Sequence, residues 1–267
     1  CWINFLTGIE IREQLNWSRV REKLEFDEEM RVVKKIIIFD LYDTVLKDIS
    51  FEFNDGITYL YNSFFKHVCS LSAFIGYEEE FLPLYEKRKI DYSEVCLIRD
   101  EVPLFFEKFK VAKPENFEQL DYDIMNRMQK VTLLEDVRST LNELQKQDIQ
   151  MYILSNSIFT GKSARQLLHD FGISHYFNHI FSSADYNIRK PSKQFYQIAI
   201  SKILSDNPGV KKEDMLYVGN DYITDVIGAT SVGLRTIWYN VNHLPNRNML
   251  DIIEIDDFKQ LVKVIQR

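Results

Sequence analysis

A chain of 267 residues is long enough for one large domain, or for a core carrying a smaller inserted one, with a substantial apolar interior in either case. Its 33 lysines and arginines against 40 aspartates and glutamates give a formal charge of -7, which argues against wholesale binding to nucleic acid or to an anionic membrane surface. No apolar run approaches the ~20 residues of a membrane span, and Cys1, Cys69 and Cys96 form neither a CxxC pair nor a metal-ligand cluster, so reduced thiols and a cytoplasmic location are expected.

The opening stretch "CWINFLTGI" lacks the basic flank and small-residue cleavage site of a signal peptide. It starts on Cys1 rather than methionine, as a fragment or a processed form would. Residues 1–34 are expected to be a helical extension or linker, with docking of a partner as the less favoured use.

From Lys35 onward, short apolar runs rich in β-branched residues alternate with longer segments of helical spacing, the pattern of a parallel α/β sheet. Strands are expected at "KIIIFD" (35–40), "IQMYILS" (149–155), "HIFSS" (179–183), "MLYVG" (215–219) and "RTIWY" (235–239). "EDVRSTLNELQKQ" places Val137, Leu141 and Leu144 on one helical face, and "GKSARQLLHDFG" ends at Gly172, as helices often do. Pro191 is expected to open the helix of "PSKQFYQIAISKIL", since the first turn has spare N–H groups. Residues 41–148 separate the first two of these strands, far more than the dozen or so that a crossover needs. Residues 57–130 are rich in aromatics at helical spacing, so a helical subdomain is expected there, its rings forming its own core. The expected organisation is a Rossmann-like catalytic core of residues 35–48 and 132–267, with helices on both faces of a parallel sheet, and an inserted α-helical cap of residues 49–131.

Ligands of open parallel sheets gather at the carboxyl ends of the strands. Asp40 ends the first strand, Ser155 and Asn156 the second, and Asn220 and Asp221 the fourth; Arg189 and Lys190 precede the helix after the third, and Asp225 follows Asp221. Singly these are ordinary residues: Asp221 and Asp225 would cap a helix, Lys190 would be a solvated charge and Ser155 would close a turn. Together they form a constellation. Asp40, Asp221 and Asp225 would repel one another unless a cation sat among them, and hard carboxylate oxygens suit Mg²⁺. Ser155 and Lys190 would hold an anionic group for attack by a carboxylate, which is phosphoryl transfer to an aspartate. "NSIFTGKS" (156–163) ends like a phosphate-binding loop, but Asn156 stands where its first glycine belongs, so Gly161 and its neighbours are expected to begin a helix.

With these segments in place, the chain resembles the haloacid dehalogenase-like hydrolases over residues 35–240. "FDLYDTV", "ILSNS", "RKPSKQFY" and "VGNDYITDVIGA" fall in the order of that family's four motifs, with an insertion where it carries its helical cap. The resemblance implies that Asp40 is the nucleophile, that Ser155 hydrogen-bonds the transferred group and that Lys190 stabilises its charge; Thr44 and Asn156 join them as substrate-binding residues. It also implies a metal held by Asp40, the backbone carbonyl of Tyr42 and an acid of the last motif. Asp225 fits that place, its partner being Asp221 or Asn220; Asp221 is preferred because it keeps a second acid near the cation. The implied activity is that of a Mg²⁺-dependent phosphatase acting on a small phosphorylated metabolite through an aspartyl-phosphate on Asp40. Oligomeric state is left open.

One position departs from the pattern. Tyr42 stands where most phosphatases of the family carry a second aspartate, which protonates the leaving oxygen and later activates water. Asp43 points to the opposite side of an extended segment and is expected to brace the loop, where the usual phosphatase has glycine. Tyrosine, with a reference pKa of ~10, donates a proton but is a poor base near neutrality. Loss of acid–base help, typically worth ~10² to 10⁴ in rate, would weigh least on good leaving groups. Haloacid dehalogenases resemble the chain at Tyr42, at "SN" and at "KP", and their halide needs neither a proton nor a metal. A metal-independent 2-haloacid dehalogenase-like hydrolase is therefore the second expectation, and a non-catalytic binding or regulatory protein of the same fold the third.

Overall fold

The structure, a computed structural model, describes residues 35–266; the expected extension over residues 1–34 lies outside the described residues. The strands are β1 (Ile36–Phe39), β2 (Leu46–Phe51), β3 (Gln129–Leu133), β4 (Gln150–Ser155), β5 (Phe177–Ser182), β6 (Met215–Gly219), β7 (Arg235–Tyr239) and β8 (Ile253–Ile255). All but β2 and β3 form one parallel sheet in the order β5-β4-β1-β6-β7-β8. Between β2 and β3 lie α1 (Phe53–Leu60), α2 (Leu71–Glu78), α3 (Leu82–Asp91), α4 (Val102–Lys108) and α5 (Phe117–Met128). The remaining longer helices are α6 (Val137–Lys146), α7 (Gly161–Asp170), α8 (Lys193–Asp206) and α9 (Gln260–Ile265).

The apolar run at β1 follows from burial on both faces, since alternate side chains of a strand point to opposite sides. Ile37 and Phe39 pack with Met151, Ile153, Leu216 and Val218 under α6, α7 and α9. Ile36 and Ile38 pack on the other face with Leu154, Tyr217 and the Phe195, Tyr196 and Ile203 side of α8. No helix among the described residues is long and apolar enough to cross a membrane.

Several details differ from the sequence reading. β2 and β3 pair antiparallel, from Leu46 opposite Leu133 to Phe51 opposite Gln129, and carry the chain out to the helical insertion and back side by side. The expected cap boundaries at 48/49 and 131/132 cut through both strands; "LKDISF" buries only Leu46, alternates exposed with half-buried positions after it and is half polar, so it does not read as core sheet. β8, only three residues long, adds an edge strand beside β7. α8 begins at Lys193 rather than at Pro191, because Pro191 sits in a turn closed by Ser192 N donating to Arg189 O at 3.0 Å. Gly161 does begin a helix, α7. Its first amide donates to Asp185 Oδ2 at 2.9 Å, so a carboxylate of the chain itself fills that helix end.

The aromatics of the insertion pack on one another, with Phe65, Phe74, Phe105 and Phe106 buried and ring centroids 4.6 Å apart for Phe74 and Phe105 and 5.0 Å for Phe65 and Phe74. Beneath them Glu101 is fully buried, accepting from Tyr85 Oη at 2.7 Å.

Burial pushes the Glu101 carboxyl up to about 7, with the Tyr85 hydroxyl opposing and Glu78 adding to the rise. The fold thus holds this proton more tightly than the unfolded chain does. Its contribution to stability is complete below the ordinary value of 4.5 and is lost as pH rises through about 7. Glu101→Gln should remove that dependence: between about pH 4 and pH 8, its unfolding free energy in urea should gain on the native chain by on the order of 3 kcal/mol. Parallel pH profiles for the two chains would contradict the assignment.

Candidate active site

β1 lies where the sheet order reverses, with β4 and β5 on one side and β6, β7 and β8 on the other. Such a switch point opens a crevice at the strand ends. Asp40 N donates to Val218 O at 2.8 Å, which extends the ladder by one residue and turns Asp40 to the face of Ile36 and Ile38, where Tyr217 also points. There Lys190 Nζ donates to Asp40 Oδ1 at 2.6 Å, to Asp225 Oδ1 at 2.7 Å and to Tyr217 Oη at 3.0 Å. Tyr217 Oη in turn donates to Asp225 Oδ1 at 2.8 Å. All three charged groups are buried, Asp40 at 7%, Lys190 at 2% and Asp225 at 1% exposure.

Burial pushes the Asp40 carboxyl up to about 6; Lys190 pulls it down and Asp225 pushes it further up. Burial works against the Lys190 ammonium, but Asp225 and Asp40 outweigh it and lift its pKa above the ordinary value. Near neutrality the site therefore holds an ionised Asp40 against a protonated Lys190. Gly219 is what lets Asp225 close in, since a Cβ there would lie 2.5 Å from the Asp225 carboxyl carbon.

The other expected residues divide. Thr44 is fully buried, its Oγ1 3.1 Å from Asp40 Oδ2 and 3.2 Å from Asn220 Oδ1. Ser155 is 1% exposed and its Oγ has no partner. Asn156 spends its amide on the Lys190 backbone, Oδ1 accepting from Lys190 N at 2.8 Å and Nδ2 donating to Lys190 O at 3.1 Å; this positions the lysine rather than offering the amide to a substrate. Tyr42 buries a hydroxyl that completes no hydrogen bond. Asp43 braces the loop at a left-handed φ of 57°, a conformation that favours glycine, and its Oδ1 takes the Lys47 ammonium at 2.8 Å.

Asp221 requires a correction. Its Oδ1 accepts from Ile223 N at 2.9 Å and Thr224 N at 2.6 Å, so it caps the helical turn Tyr222–Ile227 and is exposed to solvent. Asn220, the alternative, shares the Thr44 hydroxyl with Asp40. Among the described residues no three His, Cys, Asp or Glu side chains gather as a metal cluster. A divalent cation at this site would rely on Asp40 and Asp225 with neutral oxygens from Asn220 and the Tyr42 carbonyl. That donor set still fits Mg²⁺, which is commonly held by one or two carboxylates, waters and substrate phosphate.

Sequence reasoning passed over Tyr217, whose signal is a hydroxyl beside an otherwise apolar strand end. It also passed over Asp48, Arg88 and Glu94, which face Tyr42, Asn156 and Arg189 across a cavity of about 220 Å³. Charged residues on a short strand, a helix and the loop after it read as solvated surface, so nothing in the sequence marks them.

Comparison with known proteins bears on the family and the fold. The family model for haloacid dehalogenase-like hydrolases matches residues 37–239. The pyrimidine 5'-nucleotidase PynA of Streptococcus pneumoniae is 27% identical over 87% of this chain and 95% of its own length. YfnB, a HAD-hydrolase of Bacillus subtilis, has a magnesium-bound crystal structure that matches with a TM-score of 0.52 and 21% identity, over 88% of this chain and 100% of that one. A 2-haloacid dehalogenase from Pseudomonas syringae matches with a TM-score of 0.61 and 19% identity, over 88% of this chain and 99% of that one. At these identities the two structures speak to the fold alone.

Two substitutions separate the roles of the lysine and the cap. Lys190→Met leaves two buried carboxylates unpaired and should cost about 3–5 kcal/mol in urea unfolding. Asp221→Ala removes a helix cap and should cost about 1 kcal/mol. Equal losses would contradict the arrangement.

Proposed function

This chain belongs to the haloacid dehalogenase-like hydrolase family, and we propose that it is a Mg²⁺-dependent phosphatase that takes the phosphoryl group of a small phosphorylated metabolite onto Asp40. The observation that carries this reading is the Lys190 ammonium locked between Asp40 and Asp225, which keeps a buried nucleophile ionised and lends positive charge to an incoming phosphate. The likeness to the nucleotidase PynA over nearly its whole length supports phosphate chemistry, and the paired Asp40 and Asp225 carboxylates support the cation.

An Asp40 carboxylate oxygen attacks phosphorus, and the new O–P bond forms as the bond from phosphorus to the leaving oxygen breaks. Water then attacks phosphorus, releasing inorganic phosphate and restoring Asp40. Lys190 balances charge through both steps, Thr44 orients Asp40 Oδ2, and the unpartnered Ser155 hydroxyl donates to a phosphoryl oxygen. Asp40, the Tyr42 carbonyl, Asn220 and Asp225 would hold the cation, which when bound offsets negative charge on the phosphoryl oxygens. Burial pushes the Tyr42 hydroxyl well above its ordinary value, with Asp48, Asp40 and Asp121 adding and the Ser157 side chain opposing. It therefore stays protonated near neutrality and serves as a hydrogen-bond donor; the leaving alkoxide takes its proton from solvent, and the attacking water passes its own to the departing phosphate.

A second reading, displacement of halide from a 2-haloacid, draws on one observation: Lys190 already counters both carboxylates without a metal, and halide needs no proton. Release of phosphate from 4-nitrophenyl phosphate and acetyl phosphate, measured beside release of chloride from 2-chloropropionate, decides between them. The phosphatase reading expects phosphate release that requires Mg²⁺ and vanishes in Asp40→Asn. Chelator-indifferent chloride release, with no phosphate, would overturn it. Tyr42→Asp should speed hydrolysis of alkyl phosphates by roughly 10²-fold, the size of the missing acid–base help; an unchanged rate would remove the account of Tyr42.

A further inference from the structure

We propose that Glu94, carried by the helical insertion, is a positioning residue for Lys190: it locks residues 187–190 in the place from which the ammonium reaches Asp40 and Asp225. The inference rests on the phosphatase reading and assigns a further residue to that reaction. Residues 92–94 leave α3 and run antiparallel to residues 187–189. Ser93 pairs with Ile188, Arg189 N donates to Tyr92 O at 2.9 Å, and Glu94 N donates to Asn187 O at 3.1 Å. The backbone leading into Lys190 is thus held by the insertion. A bridge this short is marginal alone, and the Glu94 side chain is what pins it.

The Glu94 carboxylate is buried and takes four partners. Its Oε2 accepts from Ser183 Oγ at 2.9 Å and lies 3.7 Å from Arg189 Nε; its Oε1 accepts from Arg88 Nη1 at 2.9 Å and from Val95 N at 3.2 Å. Ser183 Oγ also accepts from Ser157 N at 2.8 Å. Ser157 follows Asn156, whose side-chain amide bonds both the N–H and the carbonyl of Lys190. The contacts therefore close into a ring that runs from Glu94 through Ser183, Ser157, Asn156, Lys190 and Arg189 back to Glu94. Only a carboxylate has the acceptor sites to meet a hydroxyl, two guanidiniums and an amide at once. The ring matters because a lysine stem is flexible and does not by itself fix its ammonium. Lys190 Nζ must meet Asp40 Oδ1 at 2.6 Å and Asp225 Oδ1 at 2.7 Å, so its backbone has little room to drift. A displacement of about 1 Å caused by a change far from the chemistry can cost ~10²-fold in rate.

The test compares Glu94→Ala, Ser183→Ala, Glu94→Gln and Asp121→Ala with the native full chain. Asp121 holds the insertion to the core at another joint, its Oδ2 accepting from Thr160 N at 2.9 Å, Thr160 Oγ1 at 2.7 Å and Ser163 Oγ at 2.6 Å. With 4-nitrophenyl phosphate and Mg²⁺, Glu94→Ala and Ser183→Ala should each lower kcat per folded chain by about ten-fold or more, while KM moves by less than about three-fold. Glu94→Gln, which keeps an acceptor oxygen, should recover part of the loss, and Asp121→Ala should keep kcat near the native value. Amide hydrogen exchange of the peptide spanning Arg189 and Lys190, read by mass spectrometry, should speed up in Glu94→Ala and Ser183→Ala but not in Asp121→Ala. Native kcat in either Glu94→Ala or Ser183→Ala, an equal fall in Asp121→Ala, or unchanged exchange overturns the inference; if Glu94→Ala does not fold, Ser183→Ala decides. If the native chain releases no phosphate, the phosphatase reading fails. Exchange alone then decides whether Glu94 sets the place of Lys190: the inference stands if the two variants speed it and Asp121→Ala does not, and falls otherwise.

Discussion

A lysine ammonium buried between two carboxylates is the constraint on which the site depends. Taking Lys190, Asp40 and Asp225 out of water costs several kcal/mol per ion, and only tight, fully hydrogen-bonded geometry offsets it. The surrounding sequence supplies that geometry. Asn156 fixes the Lys190 backbone at both its N–H and its carbonyl, Tyr217 adds a hydroxyl to the network, and Gly219 leaves the volume that Asp225 fills. Tyr196 of α8 bonds the Thr224 carbonyl next to Asp225, tying the acidic turn to the helix that follows the lysine loop. Loops from the ends of β1, β4 and β6, and the turn before α8, must therefore meet at one point, which the sheet's switch at β1 provides.

The same constraint explains what was legible in the sequence. "KIIIFD" reads as a strand because burial on both faces demands an unbroken apolar run, and an acid straight after such a run stands out. Lys190 is visible only in company, since a lone lysine before a helix is an ordinary surface residue. Asp221 is hard to read because a metal-binding aspartate and a helix-capping aspartate occupy the same kind of place after a strand; the bonds from the backbone amides of Ile223 and Thr224 make the cap visible, which the sequence does not. β2 and β3 escaped notice because a short, half-polar strand pair lacks the apolar density of core sheet. Asp48, Arg88 and Glu94 were invisible because their meaning comes from which elements fold against one another across the cavity.

Tyr42 links the two halves of the account. Its place two residues after Asp40, the proposed nucleophile, puts a protonated, unpartnered hydroxyl at the position expected to carry a carboxylate, and the same side chain forms part of the wall of a cavity. A site without that carboxylate draws more heavily on its grip on the rest of the substrate. Binding energy from non-reacting groups can be spent at the reacting centre.

The central claim is that Asp40 itself carries the phosphoryl group. Acid quenching during turnover of acetyl phosphate, followed by mass spectrometry of the peptide containing Asp40, tests it most directly. The account predicts a phosphoryl adduct on Asp40 that is absent from Asp40→Asn and that disappears on hydroxylamine treatment, as an acyl phosphate does. Steady release of phosphate with Asp40 unmodified at every quench time would contradict it.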